Sequence, residues 1–222
     1  MLSILIPAYN EEAVIGQVID DLKICLLSNF KNKFEIIVIN DCSTDKTEAI
    51  VKSRKVRLIS NPVNVGYGKS LKRGIKEAKY QTIVTVDADN TYNLADIPKL
   101  FQEYNKGYHL LIASRNWKTF KESFLKRTSR AIFLKFVGFI VGRHVKDANS
   151  GLRIFDKNHC VRLFPFLCDT FSFSTTMTIS FYKTGLFVGF SDSEYFQRYD
   201  KSRVRPYRDT LLTLQYLFES IM

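Results

Sequence analysis

The chain has 222 residues, 45% apolar, 14% aromatic and 25% charged, with 33 Lys and Arg against 22 Asp and Glu for a formal charge of +11. That mix excludes a disordered or collagen-like chain, and a chain of this length buries enough surface to hold a core without a disulfide or metal staple. The best apolar run, Ala131 to Gly142, contains Lys135 and falls short of the roughly 20 apolar residues that cross a bilayer.

Leu2 to Ile6 predicts a strand at once, and no basic, apolar, small-residue order typical of a secretory signal precedes it. Glu11 to Leu27 then sets Val14, Ile15, Val18, Ile19, Leu22 and Leu26 on one helical face. Strands follow at Phe34 to Asn40 and Val56 to Ile59, a helix at Lys69 to Lys79 with Leu71, Ile75 and Ala78 inward, and strands at Thr82 to Val86 and Leu110 to Ala113. Trp117 to Lys146 is aromatic and basic at helical spacing. A turn at Asp147 to Gly151 leads to a strand at Leu152 to Phe155, a helix near Ser174 to Lys183 and a strand at Leu186 to Phe190. A basic loop, Arg198 to Arg205, precedes a last helical segment, Tyr207 to Ile221. This alternation predicts an α/β fold with a mainly parallel sheet flanked by helices, and with no linker or repeat the whole chain, 1–222, reads as one domain.

Charge is uneven. Arg115 to Arg153 holds ten Lys and Arg against Glu122 and Asp147, and Arg198 to Arg208 holds five against Asp200, so two basic segments should face something anionic. Cys25, Cys42, Cys160 and Cys168 form no C-x-x-C pair and read as free thiols in a reducing compartment. His109, His144 and His159 lack metal-ligand spacing.

Ligands of parallel sheets sit beyond the C-terminal ends of the strands. Three of those ends are polar here: Pro7-Ala8-Tyr9-Asn10-Glu11, Asn40-Asp41-Cys42-Ser43-Thr44-Asp45 and Asp87-Ala88-Asp89-Asn90. Two carboxylates at i and i+2 on a strand end suit Mg²⁺ or Mn²⁺ held jointly with a diphosphate. Asp41 can accept from a base N–H, whereas Asp45 reads as a cap for the next helix. Asn64-Val65-Gly66-Tyr67-Gly68-Lys69 is glycine-rich before a helix, suiting close backbone approach to a ligand or an ordinary turn.

These residues, in this order, resemble an inverting family-two glycosyltransferase of the GT-A fold. The later Asp147-x-x-Ser150-Gly151-Leu152-Arg153 and Arg198-x-x-Lys201-Ser202-Arg203 resemble more narrowly the dolichyl- or polyprenyl-phosphate sugar synthases. The resemblance implies a nucleotide-sugar half, 1–114, and an acceptor half, 115–222. Pro7, Tyr9 and Glu11 would line the nucleoside with Gly66 and Lys69 nearby, and Asp41 would read the base. Asp87, Ala88 and Asp89 would meet ribose and a Mg²⁺ or Mn²⁺ ion. Asp89 and Arg198 would be catalytic, with Arg115, Arg127, Ser129, Arg130 and Lys201 gathering the acceptor's phosphate oxygens. Cys42, Lys46 and Asp200 stand where relatives usually have Gly. No Q-x-x-R-W sequence is present, and the only tryptophan is Trp117, which argues against a processive polysaccharide synthase.

A phosphate acceptor is already an anion and needs no base. A saccharide or protein hydroxyl, the alternative acceptor, would need Asp147 or Asp169. The phenylalanines of Trp117 to Lys146, interleaved with Lys and Arg, make an amphipathic stretch suited to a membrane interface, against the plainer reading of a core helix with a basic solvated face. The expectation is therefore a cytoplasmic protein, peripheral at the inner face of a membrane, either naturally short or trimmed before a C-terminal anchor. Nucleic acid is not an expected partner, because acidic strand ends would repel a polyanion.

Overall fold

The computed structural model describes residues 1–31, 33–116 and 123–196. The expected basic loop with Arg198, Asp200 and Lys201, the segment Tyr207 to Ile221, and Trp117 to Glu122 lie outside the described residues.

Seven strands form one sheet: β1 (Leu2–Ala8), β2 (Phe34–Asn40), β3 (Arg57–Ser60), β4 (Thr82–Thr85), β5 (Leu110–Arg115), β6 (Arg153–Asp156) and β7 (Val188–Ser193), in the order β3-β2-β1-β4-β6-β5-β7. The helices are α1 (Ile15–Phe30), α2 (Thr47–Ser53), α3 (Tyr67–Glu77), α4 (Ile97–Tyr104), α5 (Phe124–Val141), α6 (Lys157–Arg162) and α7 (Phe173–Lys183). All seven residues of β1 are buried, as a strand covered on both faces requires. Its alternate residues feed two cores. Leu2, Ile4 and Ile6 pack with Ile15, Val18, Ile19 and Leu22 of α1, while Leu5 packs with Ile37, Ile39, Leu71 and Ile75 on the α3 face.

Pro7 sits inside this central strand without breaking it. Leu5 gives its carbonyl to the Val86 N–H, so odd positions of β1 face β4. Pro7 faces the same side two residues on, where the β1–β4 register, ending at Leu5 opposite Thr85, no longer asks for a donor.

Only β6 runs against its neighbours, antiparallel to both β4 and β5. That reversal places the site. Arg153 opens β6 opposite Thr85 near the end of β4, so the turn Asp147 to Gly151, which precedes β6, lies on the edge where the parallel strands finish. Arg115 ends β5 opposite Ser193 of β7 on that same edge.

Several boundaries differ from those the periodicity predicts. α1 starts at Ile15 and not Glu11: residues 12–14 form a turn in which the Glu11 carbonyl accepts from both Val14 and Ile15, and the N–H groups of Glu11 and Glu12 go to Thr47 Oγ1 and Asp45 Oδ2 of the neighbouring loop. α3 starts at Tyr67, two residues early, after Gly66 turns the chain at φ +95°. Of the expected stretch Trp117 to Lys146, α5 occupies Phe124–Val141 and ends at Gly142 in the left-handed region. The last sheet strand runs Val188–Ser193 rather than Leu186 to Phe190, gaining a full register with β5.

Candidate active site

The loops after β1 and β2 are stitched together. Asn10 N–H donates to Ser43 Oγ at 2.9 Å, and Asn10 Oδ1 accepts from Thr44 N at 2.7 Å. Lys46 N–H donates to Glu12 Oε2 at 2.9 Å, and Asp41 N–H donates to the Ala8 carbonyl at 2.8 Å. Asp45 accepts from the N–H of Thr47, the first residue of α2, which is the capping role its position suggested. Burial would raise its carboxyl, but donors from Thr47 and Glu12 hold it below the usual range. Cys42 has φ +61°, the left-handed conformation that favours glycine, so the loop keeps the shape a glycine would allow despite the side chain. Lys46, at φ −79°, needs no glycine.

Asp41 is the hub of the next layer. Its buried carboxylate accepts from Asn61 Nδ2 at 2.8 Å, Val65 N at 2.9 Å and Gly66 N at 2.8 Å, joining the loops after β2 and β3 to the start of α3. Three of its four lone-pair positions thus serve the chain itself. The glycines beyond it make room for backbone: a Cβ on Gly66 would sit 3.0 Å from the Asp169 carbonyl, and one on Gly68 would overlap the Cys168 carbonyl. Lys69 N–H donates to that Asp169 carbonyl at 3.1 Å while its side chain is exposed.

Asp87 and Asp89 stand just past β4, both partly buried. Asp87 Oδ1 accepts from Tyr67 Oη at 2.9 Å. Burial, then the Asp87 charge, pushes the Tyr67 phenol well above its usual value, so it remains a donor. Asp89 Oδ1 accepts from Thr91 Oγ1 at 2.7 Å and Thr91 N at 3.3 Å. Ala88 between them is buried. Two hard carboxylates on one strand end fit Mg²⁺ or Mn²⁺, which take their remaining oxygens from phosphates and water. Among the described residues no group of three or more His, Cys, Asp or Glu gathers to make an all-protein cage.

On the far side of the edge, Arg115 and Asp147 form a buried bidentate pair, with Nε to Oδ2 at 2.7 Å and Nη2 to Oδ1 at 2.9 Å. Burial alone would raise the Asp147 carboxyl; the Arg115 guanidinium and the Asn149 N–H override it and hold it low. The Arg115 guanidinium also lies 5.4 Å from the Tyr195 ring centroid. Sequence reasoning set these two residues to separate tasks, phosphate binding and base, and the fold places them in contact with each other. Asp169, the other base candidate, is paired with Lys72 at 2.6 Å.

Arg153 is fully buried and donates to the Ser150 carbonyl, the Ala148 carbonyl and Thr178 Oγ1, clamping the 147–151 turn. Desolvation pushes its guanidinium down to about 10, still a cation at neutral pH. Tyr92 Oη accepts from Gly151 N at 2.7 Å and tethers the same turn. Lys72 and Tyr92 carry no chemistry motif, and Tyr67 is singled out only as part of a glycine-rich turn; the fold brings their side chains to the edge.

The remaining described acceptor candidates are on α5. Arg127, Ser129 and Arg130 lie in the first turns of α5, Arg127 and Ser129 exposed and Arg130 partly buried. Tyr9 and Glu11 occupy the loop after β1 beside the Asp41 hub, Tyr9 being 36% exposed.

Comparison with known proteins agrees with this geometry. The chain is 34% identical over 159 residues to an uncharacterised protein of Methanocaldococcus jannaschii, covering 68% of this chain and 63% of the other. It is 32% identical over 183 residues to the UDP-N-acetylglucosamine–dolichyl-phosphate N-acetylglucosaminyltransferase of Methanococcus voltae, covering 71% and 70%. It is 27% identical over 155 residues to a dolichyl-phosphate hexose transferase of Haloferax volcanii, covering 69% and 65%. Among the curated relatives it matches, the chain spans 63%, 50% and 65% of the length of three of the most similar. Glucosyl-3-phosphoglycerate synthase from Mycobacterium tuberculosis, solved with phosphoglyceric acid, superposes with a TM-score of 0.78 at 20% identity over 99% of this chain and 79% of that one. A complex of that synthase with Mn²⁺, uridine diphosphate and glucosyl-3-phosphoglycerate gives a TM-score of 0.74 at 20% identity, with the same coverage. The sheet and its helices are those of the GT-A class, and the profile of glycosyl transferase family 2 matches residues 3–165, so the chain belongs to that family.

Proposed function

We propose that the chain is an inverting glycosyltransferase that moves a sugar from a UDP- or GDP-linked donor to a polyprenyl or dolichyl phosphate at a membrane surface. One observation carries the choice of acceptor: Asp147 and Asp169, the two carboxylates proposed as base for a hydroxyl acceptor, are both ion-paired, one of them buried and bidentate. Asp147, held below its usual pKa by Arg115, is a poor proton acceptor, Asp169 is engaged by Lys72, and a phosphate nucleophile asks for no base.

In this reading residues 1–114 take the donor. Pro7, Tyr9 and Glu11 line the nucleoside, with Lys69 at the mouth. Asp41 shapes the base pocket through Val65 and Gly66 and offers its one remaining lone pair to the base. Asp87 and Asp89 would hold Mg²⁺ or Mn²⁺, which when bound supplies positive charge against the diphosphate. The acceptor phosphate approaches the anomeric carbon from the opposite face, which inverts its configuration. Arg127, Ser129 and Arg130 gather its oxygens with Arg198 and Lys201, while Arg115 contributes by fixing the Asp147 turn.

Support for a membrane surface comes from α5. Val137 packs with Val145, Ala148 and Ile179, but Phe124 is 84% exposed, Leu125 75%, Ile132 63% and Phe139 86%, on a helix that also carries Lys126, Arg127, Arg130 and Lys135. Exposed apolar side chains on a helix whose flanks are basic suit the anionic cytoplasmic leaflet, and the prenyl chain would enter there. Among the described residues no helix is long and apolar enough to cross a bilayer. Phe133 is partly buried against the α5–α7 core, so Phe124 and Phe139 are the better probes. Phe124→Ser/Phe139→Ser is expected to weaken binding to vesicles containing phosphatidylserine about tenfold or more in a flotation assay, since each ring removes more than a kcal/mol of apolar transfer; unchanged binding would remove α5 from the interface.

The activity test is a screen of UDP- and GDP-sugars with Mg²⁺ or Mn²⁺ and a short prenyl phosphate. A lipid-linked sugar of inverted configuration is the expected product. Transfer only to saccharide hydroxyls, with Asp169 freed from Lys72 to act as base, would replace this reading.

A further inference from the structure

Asp87 is held from two sides by residues outside its own motif. From one side Tyr67, the first residue of α3, donates its hydroxyl to Oδ1 at 2.9 Å. On the other side lies Gly151, where a Cβ would overlap the Asp87 carboxyl group. Gly151 is itself fixed, its N–H donating to Tyr92 Oη at 2.7 Å and its carbonyl accepting from Thr85 Oγ1 at 2.7 Å. The carboxylate therefore lies in a slot with a glycine floor and a phenol wall.

The phenol wall is continuous with a segment far off in sequence. The Tyr67 ring stacks on Phe171, centroids 5.5 Å apart and planes 23° from parallel. Phe171 belongs to the segment Cys168 to Ser172, which is fastened to α3 by the Asp169 carbonyl on Lys69 N–H at 3.1 Å and by the Lys72–Asp169 ion pair at 2.6 Å. Tyr67 is thus the side chain that touches both the 168–172 segment and the carboxylate.

We infer that Tyr67 is a positioning residue that sets the orientation of Asp87 toward a divalent cation and diphosphate, and that the Cys168 to Ser172 segment acts on that site through the Phe171–Tyr67 stack. The inference rests on the reading of Asp87 and Asp89 as cation ligands. A ligating carboxylate with one oxygen fixed by a donor enters coordination already oriented, and loss of such an outer partner typically weakens metal affinity about 10- to 100-fold.

The test is Mn²⁺ titration of the full chain followed by electron paramagnetic resonance, with Mn²⁺ alone and with added UDP or GDP. Tyr67→Phe keeps the ring and its stack and deletes only the hydroxyl. It is expected to weaken Mn²⁺ binding about tenfold, at the lower end of that range, with an unchanged unfolding midpoint. In turnover assays the Mn²⁺ concentration for half-maximal rate should rise while the rate at saturating Mn²⁺ stays within a few-fold. Phe171→Ala removes a half-exposed ring and should weaken Mn²⁺ binding in the same direction, by less. Wild-type affinity in Tyr67→Phe would overturn the positioning role, and wild-type affinity in Phe171→Ala would overturn the coupling through the stack. Asp89→Asn separates the two levels: if it binds Mn²⁺ as wild type does, the cation reading itself fails. If it abolishes binding while Tyr67→Phe is unaffected, only the positioning role fails.

Discussion

Asp89→Asn is expected to lower turnover by about 10³-fold or more while leaving the unfolding midpoint within a few degrees of wild type, the magnitude being that of removing a preorganised electrostatic partner of a leaving group. The fold should survive because the Asp89 carboxylate is held by its neighbour Thr91. Its Oδ1 accepts from the Thr91 hydroxyl and N–H, and an asparagine keeps that oxygen. What the amide loses is charge, and a hard divalent cation binds carboxylates far better than amides. The measurement is kcat at saturating donor across a range of Mn²⁺ concentrations, alongside thermal unfolding of both forms. Near wild-type rates in the folded variant would remove Asp89 from the chemistry and, with it, the assignment of the β4 end as the place where the diphosphate departs.

Much of the edge was legible in sequence because strands of a parallel sheet announce themselves as short apolar runs, and whatever polar residues follow each run must share one rim. Leu2 to Ile6, Phe34 to Asn40 and Thr82 to Val86 did so, and their trailing residues meet there. α4 and α6 were not visible and α2 was announced only by the cap at Asp45, since six to eight residues give too few turns for helical spacing to show. The direction of β6 was hidden for another reason: alternation of side chains has no sense along the chain, so Leu152 to Phe155 reads the same either way. Yet its reversal is what delivers the Asp147 turn to the Asp87 side of the sheet. Pairing across distance was hidden too. Arg115 and Asp147 stand 32 positions apart, and nothing local tells that one is the other's partner. The odd residue Cys42, by contrast, was readable as a missing glycine, and its left-handed backbone is the physical content of that oddity.

Asp147→Asn should be the most destabilising of the substitutions at this edge, by about 3–5 kcal/mol, because it leaves the Arg115 cation without its counter-charge in a buried setting. Asp147 is 2% exposed and accepts from Arg115 Nε, Nη2 and N, and from Asn149 N. An asparagine turns an NH₂ toward donors that need an acceptor. For a chain of this size the unfolding midpoint should fall by about 10 °C. The pH dependence follows from the low Asp147 carboxyl: its contribution is complete above the ordinary carboxylate pKa and disappears as pH falls through the lowered value. The stability gap between wild type and variant should accordingly be full at pH 7 and close progressively below about pH 4, where wild type also carries a neutral side chain beside Arg115. Replacing both partners, as Arg115→Met/Asp147→Leu, should recover much of the stability, since paired apolar groups leave no buried charge unmet. Turnover should not recover with it. The Asp147 turn carries Gly151 to the Asp87 carboxylate, and a turn no longer fastened by the Asn149 N–H to Asp147 would lose its register there. Urea unfolding and kcat measured on wild type and these two variants separate the two roles. A double variant that is both stable and fully active would show the ion pair to be dispensable for placing the site.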